Sequence, residues 1–174
     1  APPAAPGTPA APGAPPAAPG AVNIQQEFEA LIKAAEGMFM EGKYQEALSK
    51  VLDAKKKLSS GTKPMEGMLF LEGACHYNLQ DYAKAIETLE TFKKEYPTGG
   101  AIIDVRMALG RSYIASKEVD KGIAELKEVV ANSPEKKGEA GLAIADALTK
   151  QDKKDDALAI LDAVIKDGIR SPES

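Results

Sequence analysis

The heptapeptide GKYQEAL at Gly42–Leu48 recurs three more times along the chain, with its side-chain pattern largely kept. The later copies read QDYAKAI, KEVDKGI and, shifted by one residue, KKDDALA. Each copy places a small residue at one shared position: Ala47, Ala85, Gly122 and Ala157. Successive small residues are 38, 37 and 35 residues apart. A period in this range is typical of a solenoid of stacked helical hairpins, and such arrays usually serve as binding surfaces.

The composition of the 174-residue chain limits the classes of function that it can have. Its net charge of −4 argues against nucleic-acid binding, which usually needs a basic patch. No apolar run approaches the roughly 18 residues that predict a membrane-spanning helix. The first residue, Ala1, is small, as it is after cleavage of a secretory signal. We therefore expect a periplasmic or extracellular location in a bacterium, with the cytoplasm left open.

Residues 1–22 differ in composition from the rest of the chain. Residues 1–20 contain only Ala, Pro, Gly and one Thr, and eight of them are proline. This composition disfavours a helix and offers no large apolar side chain to bury, so we predict an extended polyproline II tail. At about 3.1 Å per residue the tail would reach roughly 60 Å. It is either a spacer or a ligand segment that docks into a groove.

Helical periodicity begins near residue 23 and predicts a single domain over 23–169, followed by a short C-terminal tail at 170–174. The predicted helices are 24–41, 44–59, 65–79, 82–96, 100–116, 119–132, 136–150 and 154–167. Short linkers make adjacent helices antiparallel. The predicted fold is therefore an all-α solenoid of four helix–turn–helix repeats. The repeats cover about 24–60, 65–97, 100–134 and 136–169.

The repeat unit resembles the tetratricopeptide repeat, a helix–turn–helix of about 34 residues with small residues at positions 8 and 20. Position 20 holds the four small residues of the heptapeptides. Position 8 holds Ala35, Gly73, Gly110 and Ala145. The phrase FKKEYPTGG at Phe92–Gly100 is similar to the repeats of bacterial envelope members, namely outer-membrane assembly lipoproteins and the Tol–Pal coordinator. The resemblance implies a solenoid fold and an envelope setting.

The resemblance also implies that the first helices of successive repeats line a concave face. The predicted groove residues are Ile32, Phe39, Met40, Phe70, Tyr77, Asn78, Met107, Arg111 and Ile114. Apolar and aromatic side chains that face a groove favour an extended peptide as ligand, whose backbone Asn78 and Arg111 would hold. The alternative is that these side chains pack on one another across a shallow curve.

The sequence predicts no catalytic, metal or cofactor site. His76 is the only histidine, so a nucleophile–base relay has only this one base available. Its neighbour Cys75 points about 100° away from it around a helix, and position 75 faces the partner helix, so we expect a buried structural thiol there. The chain contains no CxxC, no HExxH and no Gly-rich phosphate loop. We therefore expect a protein that is not an enzyme and that holds no cofactor.

The last predicted helix carries Leu158, Leu161 and Ile165 on a face with no predicted covering helix. We expect this end to contact a partner or another copy of the chain.

The sequence as a whole supports two candidate functions. The first is a non-enzymatic adaptor in a bacterial envelope that binds an extended protein segment in its groove. The second is a structural subunit that self-associates through its Pro/Ala tail and its solenoid ends. The partner is a protein in both.

Overall fold

A computed structural model of the chain describes residues 19–58 and 65–170. Within these residues the fold contains eight α-helices and no strand. The helices are α1 Pro19–Met40, α2 Tyr44–Lys56, α3 Glu66–Asn78, α4 Tyr82–Glu95, α5 Ile102–Ala115, α6 Val119–Asn132, α7 Lys137–Lys150 and α8 Lys154–Arg170. Each helix packs on the next, and α3 also contacts α1 and α5. This arrangement confirms the predicted all-α solenoid of tetratricopeptide-type repeats.

The first helix begins at Pro19, before the predicted start at residue 24, so residues 19–22 of the predicted tail lie in α1. Proline is tolerated in the first turn of a helix because its missing N–H has no intrahelical acceptor there. The sequence predicts an extended conformation and a spacer or ligand role for residues 1–18. These residues lie outside the described part of the chain. So do residues 171–174 of the predicted C-terminal tail.

The turn inside each helix pair has the same geometry in all four repeats. One residue at a fixed repeat position has a positive φ: Gly42 76°, Gln80 62°, Lys117 71° and Asp152 60°. The N–H of the following residue donates back to the end of the first helix, as from Lys43 N to Met38 O at 2.9 Å. This is a Schellman end, which closes the first helix and reverses the chain. Only one of the four positions carries the glycine that such a backbone favours.

Small residues lie where the two helices of each pair cross. A Cβ built on Gly122 would lie 2.6 Å from the carbonyl oxygen of Gly110 and 2.6 Å from Cγ1 of Ile114. At the same repeat position, Ala47 and Ala85 have no exposed surface. Close contact between the helix backbones is therefore the physical reason for the recurring small residue in the heptapeptide.

Each repeat packs on the preceding one through a fixed set of positions on its first helix. The buried residues at these positions are Met68, Glu72, Cys75 and His76 in α3, Val105, Leu109, Ser112 and Tyr113 in α5, and Ala140, Ile144, Ala147 and Leu148 in α7. We call this set the inter-repeat positions. Most are apolar, and they contribute to three hydrophobic clusters, one at each boundary between successive repeats.

Polar contacts add to the apolar packing around α5. Glu125 of α6 accepts hydrogen bonds from Lys93 of α4 and Arg106 of α5, each at 2.7 Å. The hydroxyl of Tyr113 donates to Glu90 of α4 at 3.0 Å. Half-buried ion pairs that share one carboxylate are screened less by solvent than isolated surface pairs. This network holds α5 between its neighbours.

Candidate functional site

A concavity of about 270 Å³ lies among the first helices of the second, third and fourth repeats. Its lining residues are Phe70, Ala74, Tyr77 and Asn78 of α3, Asp104, Met107, Ala108 and Arg111 of α5, and Lys136 and Glu139 at the start of α7. We call it the α3–α5–α7 concavity. Five of the predicted groove residues line it together: Phe70, Tyr77, Asn78, Met107 and Arg111.

The floor and one wall of the concavity are apolar. Met107 and Ala74 are 5% and 9% exposed and form the floor. Phe70 and Tyr77 are half-buried and occupy one stripe of α3 with Ala74 between them, because residues four and seven positions apart share a helix face. The Tyr77 ring also packs on the ring of Tyr82, with centroids 5.9 Å apart. This leaves an aromatic wall beside an apolar floor.

The charged residues of the concavity are paired with one another. Arg111 Nη2 donates to Glu139 Oε1 at 2.5 Å, and Lys136 pairs with Asp104. Their formal charges cancel, so the concavity attracts neither acidic nor basic ligands strongly. Partly exposed pairs of this kind contribute about 0–1 kcal/mol each, so a ligand can open them at small cost.

Asn78 adds a polar group at the end of α3. Its Nδ2 donates to the carbonyl oxygen of Ala74 at 2.8 Å, which orients the amide toward the helix end. The side chain itself is exposed beside the concavity. An oriented amide has both a donor and an acceptor, and is therefore suited to hydrogen bonds with the backbone of an extended segment.

The other four predicted groove residues lie elsewhere. Ile32 and Phe39 pack against the core of the first repeat, and the Phe39 ring lies 5.3 Å from the ring of Tyr44. Ile114 contacts Gly122 in the α5–α6 crossing. Met40 is 84% exposed at the end of α1 but does not line the concavity.

A second, polar cavity of about 310 Å³ was missed by the sequence reasoning. It is lined by Lys55, Leu69, Glu72, His76, Lys84, Glu87, Thr88 and Thr91. Both carboxylate oxygens of the buried Glu72 accept from Lys55 Nζ at 2.9 Å. The only signal in the sequence was the four-residue spacing of Glu72 and His76, which puts both on one face of α3.

Burial sets the titration of two neighbouring groups in α3. It raises the pKa of the Cys75 thiol to about 11, with a smaller contribution from the charge of Glu72. Cys75 is free and fully buried, which confirms the predicted buried thiol. Burial also lowers the pKa of His76, against the opposing effect of Asp81, whose Oδ2 lies 3.9 Å from Nδ1.

The buried His76 predicts a loss of stability in mild acid. Its pKa is lowered in the folded state, so the native protein keeps it neutral while the unfolded chain protonates near pH 6.5. The stability that it contributes is present above that pH and is lost as the pH falls through the folded-state pKa. We expect the difference in unfolding free energy between wild type and His76→Gln to be constant above pH 7 and to shrink below about pH 6.5.

Urea titrations at several pH values, followed by circular dichroism, measure this difference. The carboxylates titrate in wild type and variant alike, so their effect cancels in the difference between the two unfolding free energies. A difference that stays constant down to pH 5 would show that His76 titrates alike in both states.

Neither a metal site nor a membrane-spanning helix is found among residues 19–58 and 65–170. No group of three His, Cys, Asp or Glu residues there is arranged to hold a metal ion. In the same part of the chain, the helices are too short or too polar to cross a membrane.

Comparisons with known proteins agree with this architecture. The MamA structure (41-end) from Desulfovibrio magneticus RS-1 is similar at 18% identity, with 84% of this chain and 78% of that chain covered and a TM-score of 0.71. Another crystal structure of MamA matches at 17% identity, 82% and 79% coverage and a TM-score of 0.68. At these identities the likeness shows the fold alone. No curated protein matches the chain significantly.

A match to a sequence-family model identifies the family of the chain, where the structural matches show only its fold. The model YfiO, described as an outer membrane lipoprotein, matches residues 63–167. This range includes every residue that lines the α3–α5–α7 concavity. It covers more than half of the 174 residues, and the chain therefore belongs to the YfiO family of outer membrane lipoproteins.

Proposed function

We propose that the chain is a non-enzymatic scaffold of the bacterial envelope that binds an extended protein segment in the α3–α5–α7 concavity. The observation that carries the proposal is the half-buried aromatic wall of Phe70 and Tyr77 over the apolar floor of Met107. Aromatic residues supply much of the binding energy at protein interfaces, and methionine adapts its shape to different ligands. The family match to outer membrane lipoproteins supports the envelope setting and a periplasmic location.

The charges of the concavity narrow the kind of segment that fits. Its four charged residues are paired with one another, so an acidic or basic motif gains little there. An extended segment with small or apolar side chains instead packs on the aromatic wall and presents its backbone to Asn78 and Arg111. The ligand class that we propose is therefore an uncharged, extended polypeptide.

Site-specific photocrosslinking tests where the partner binds. A photoreactive phenylalanine derivative at Asn78, incorporated in the full chain and mixed with native envelope extract, is expected to capture a defined protein. The matched control carries the same group at Lys127 of α6, which is exposed and does not line the concavity. Capture from position 127 but not from position 78 would place the binding surface outside the concavity.

A further inference from the structure

Among the described residues, α1 and α8 each expose one half of an inter-repeat interface. At the C-terminal end, Leu158 of α8 is 61% exposed. Of the residues at the same repeat position that a following repeat covers, Leu48 and Ile123 are 6% and 8% exposed and Ile86 is half-buried. Ile165, which shares this face of α8, is 56% exposed, and Leu161 beside it is half-buried.

At the N-terminal end, α1 presents the matching half. Its inter-repeat positions are Ala30, Ala34, Gly37 and Met38, by alignment of Ala35 with Gly73, Gly110 and Ala145. The equivalent residues of α3, α5 and α7 are all buried against a preceding repeat. On α1 the first three are exposed, and a Cβ built on Gly37 would meet no atom within 4 Å.

The two faces complement each other in size and in charge. One presents large apolar side chains and the other a shallow strip of small residues, the pairing that lets helices approach closely. Four exposed charged residues flank the apolar face of α8: the acidic Asp155 and Asp162 and the basic Lys154 and Lys166, of which Lys154 is paired within the chain with Asp152. The exposed Lys33 flanks the strip on α1. The acidic residues beside the α1 strip, Glu27 and Glu41, are paired within the chain with Lys57 and Lys43.

We propose that copies of this chain stack end to end, with the α8 face of one copy against the α1 face of the next. In this contact α8 packs on α1 of the next copy in the same way as α6 packs on α7 within one copy. In the same register, Ile165 of one copy lies over Ala34 of the next copy. Ile165 holds the repeat position of Val130 and Ala34 that of Ile144, and Val130 and Ile144 belong to one hydrophobic cluster of the third and fourth repeats. The two faces differ, so the contact is heterologous and can extend beyond a dimer.

Mixing two end-blocked variants tests this proposal sharply. In the full chain, Ala34→Glu blocks the α1 face, and Leu158→Glu with Ile165→Glu blocks the α8 face. We expect wild type to gain mass with concentration in sedimentation velocity, and each variant alone to remain a monomer. A 1:1 mixture retains one intact face of each kind, so it should form a species of twice the monomer mass and nothing larger.

The matched control is Leu142→Glu, because Leu142 of α7 is 63% exposed but lies on neither end face. This variant should assemble like wild type. Circular dichroism confirms that all variants keep their helices, since every substituted residue is exposed. A wild type that stays monomeric at all concentrations would overturn the proposal. So would end variants that still assemble, or a mixture that forms no dimer.

Discussion

Replacing Gly122 with alanine will lower the free energy of unfolding by about 3 kcal/mol, the upper part of the range for overpacked sites. The new Cβ would lie 2.6 Å from the carbonyl oxygen of Gly110 and 3.1 Å from the backbone N of Ile114. Backbone atoms cannot turn away as a flexible side chain does, so α5 and α6 must separate. Because α5 carries Met107 and Arg111, this separation also disturbs the concavity.

Urea denaturation followed by circular dichroism measures this loss. The control is Gly138→Ala in the first turn of α7, where a Cβ would meet no atom within 4 Å. That substitution should leave stability unchanged or raise it by up to about 1 kcal/mol, because alanine favours helix. If Gly122→Ala matched the control, the close crossing of α5 and α6 would be wrong.

The sequence predicted the helices well because two independent signals agreed. The small residues set the repeat register, and the apolar periodicity set the helix faces. The starts of α2, α4, α6 and α8 at Tyr44, Tyr82, Val119 and Lys154 match the predicted residues. The turns at Gln80 and Lys117 carried no glycine, yet the register located them because their geometry repeats that of Gly42.

The sequence predicted which residues share the concavity only for repeats that have another repeat on each side. Residues of α3 and α5 such as Phe70 and Arg111 have a repeat on each side, so the family register placed them in one concavity. Ile32 and Phe39 of α1 pack instead against the cluster that the first repeat forms with α3. The polar cavity at His76 was missed because most of its lining comes from α2 and α4, and contacts between helices are not visible in a local pattern.

Double substitution of Phe70 and Tyr77 by alanine will abolish capture of the envelope partner. The change removes the aromatic wall of the concavity, and such anchors each contribute about 2 kcal/mol or more at interfaces. Two such anchors correspond to a loss of affinity of roughly a thousandfold, so we expect the retained partner to fall to background while the helical circular dichroism signal persists. The control is Leu52→Ala with Leu158→Ala, two exposed apolar residues of second helices outside the concavity, and it should bind like wild type.

The measurement that decides the central claim is the amount of partner retained by immobilised full-length protein, quantified by mass spectrometry. The partner is the protein that crosslinks from Asn78. Binding should be lost with Phe70→Ala and Tyr77→Ala and kept with the control pair. Equal retention by all three proteins would contradict the proposal that the α3–α5–α7 concavity is the recognition site.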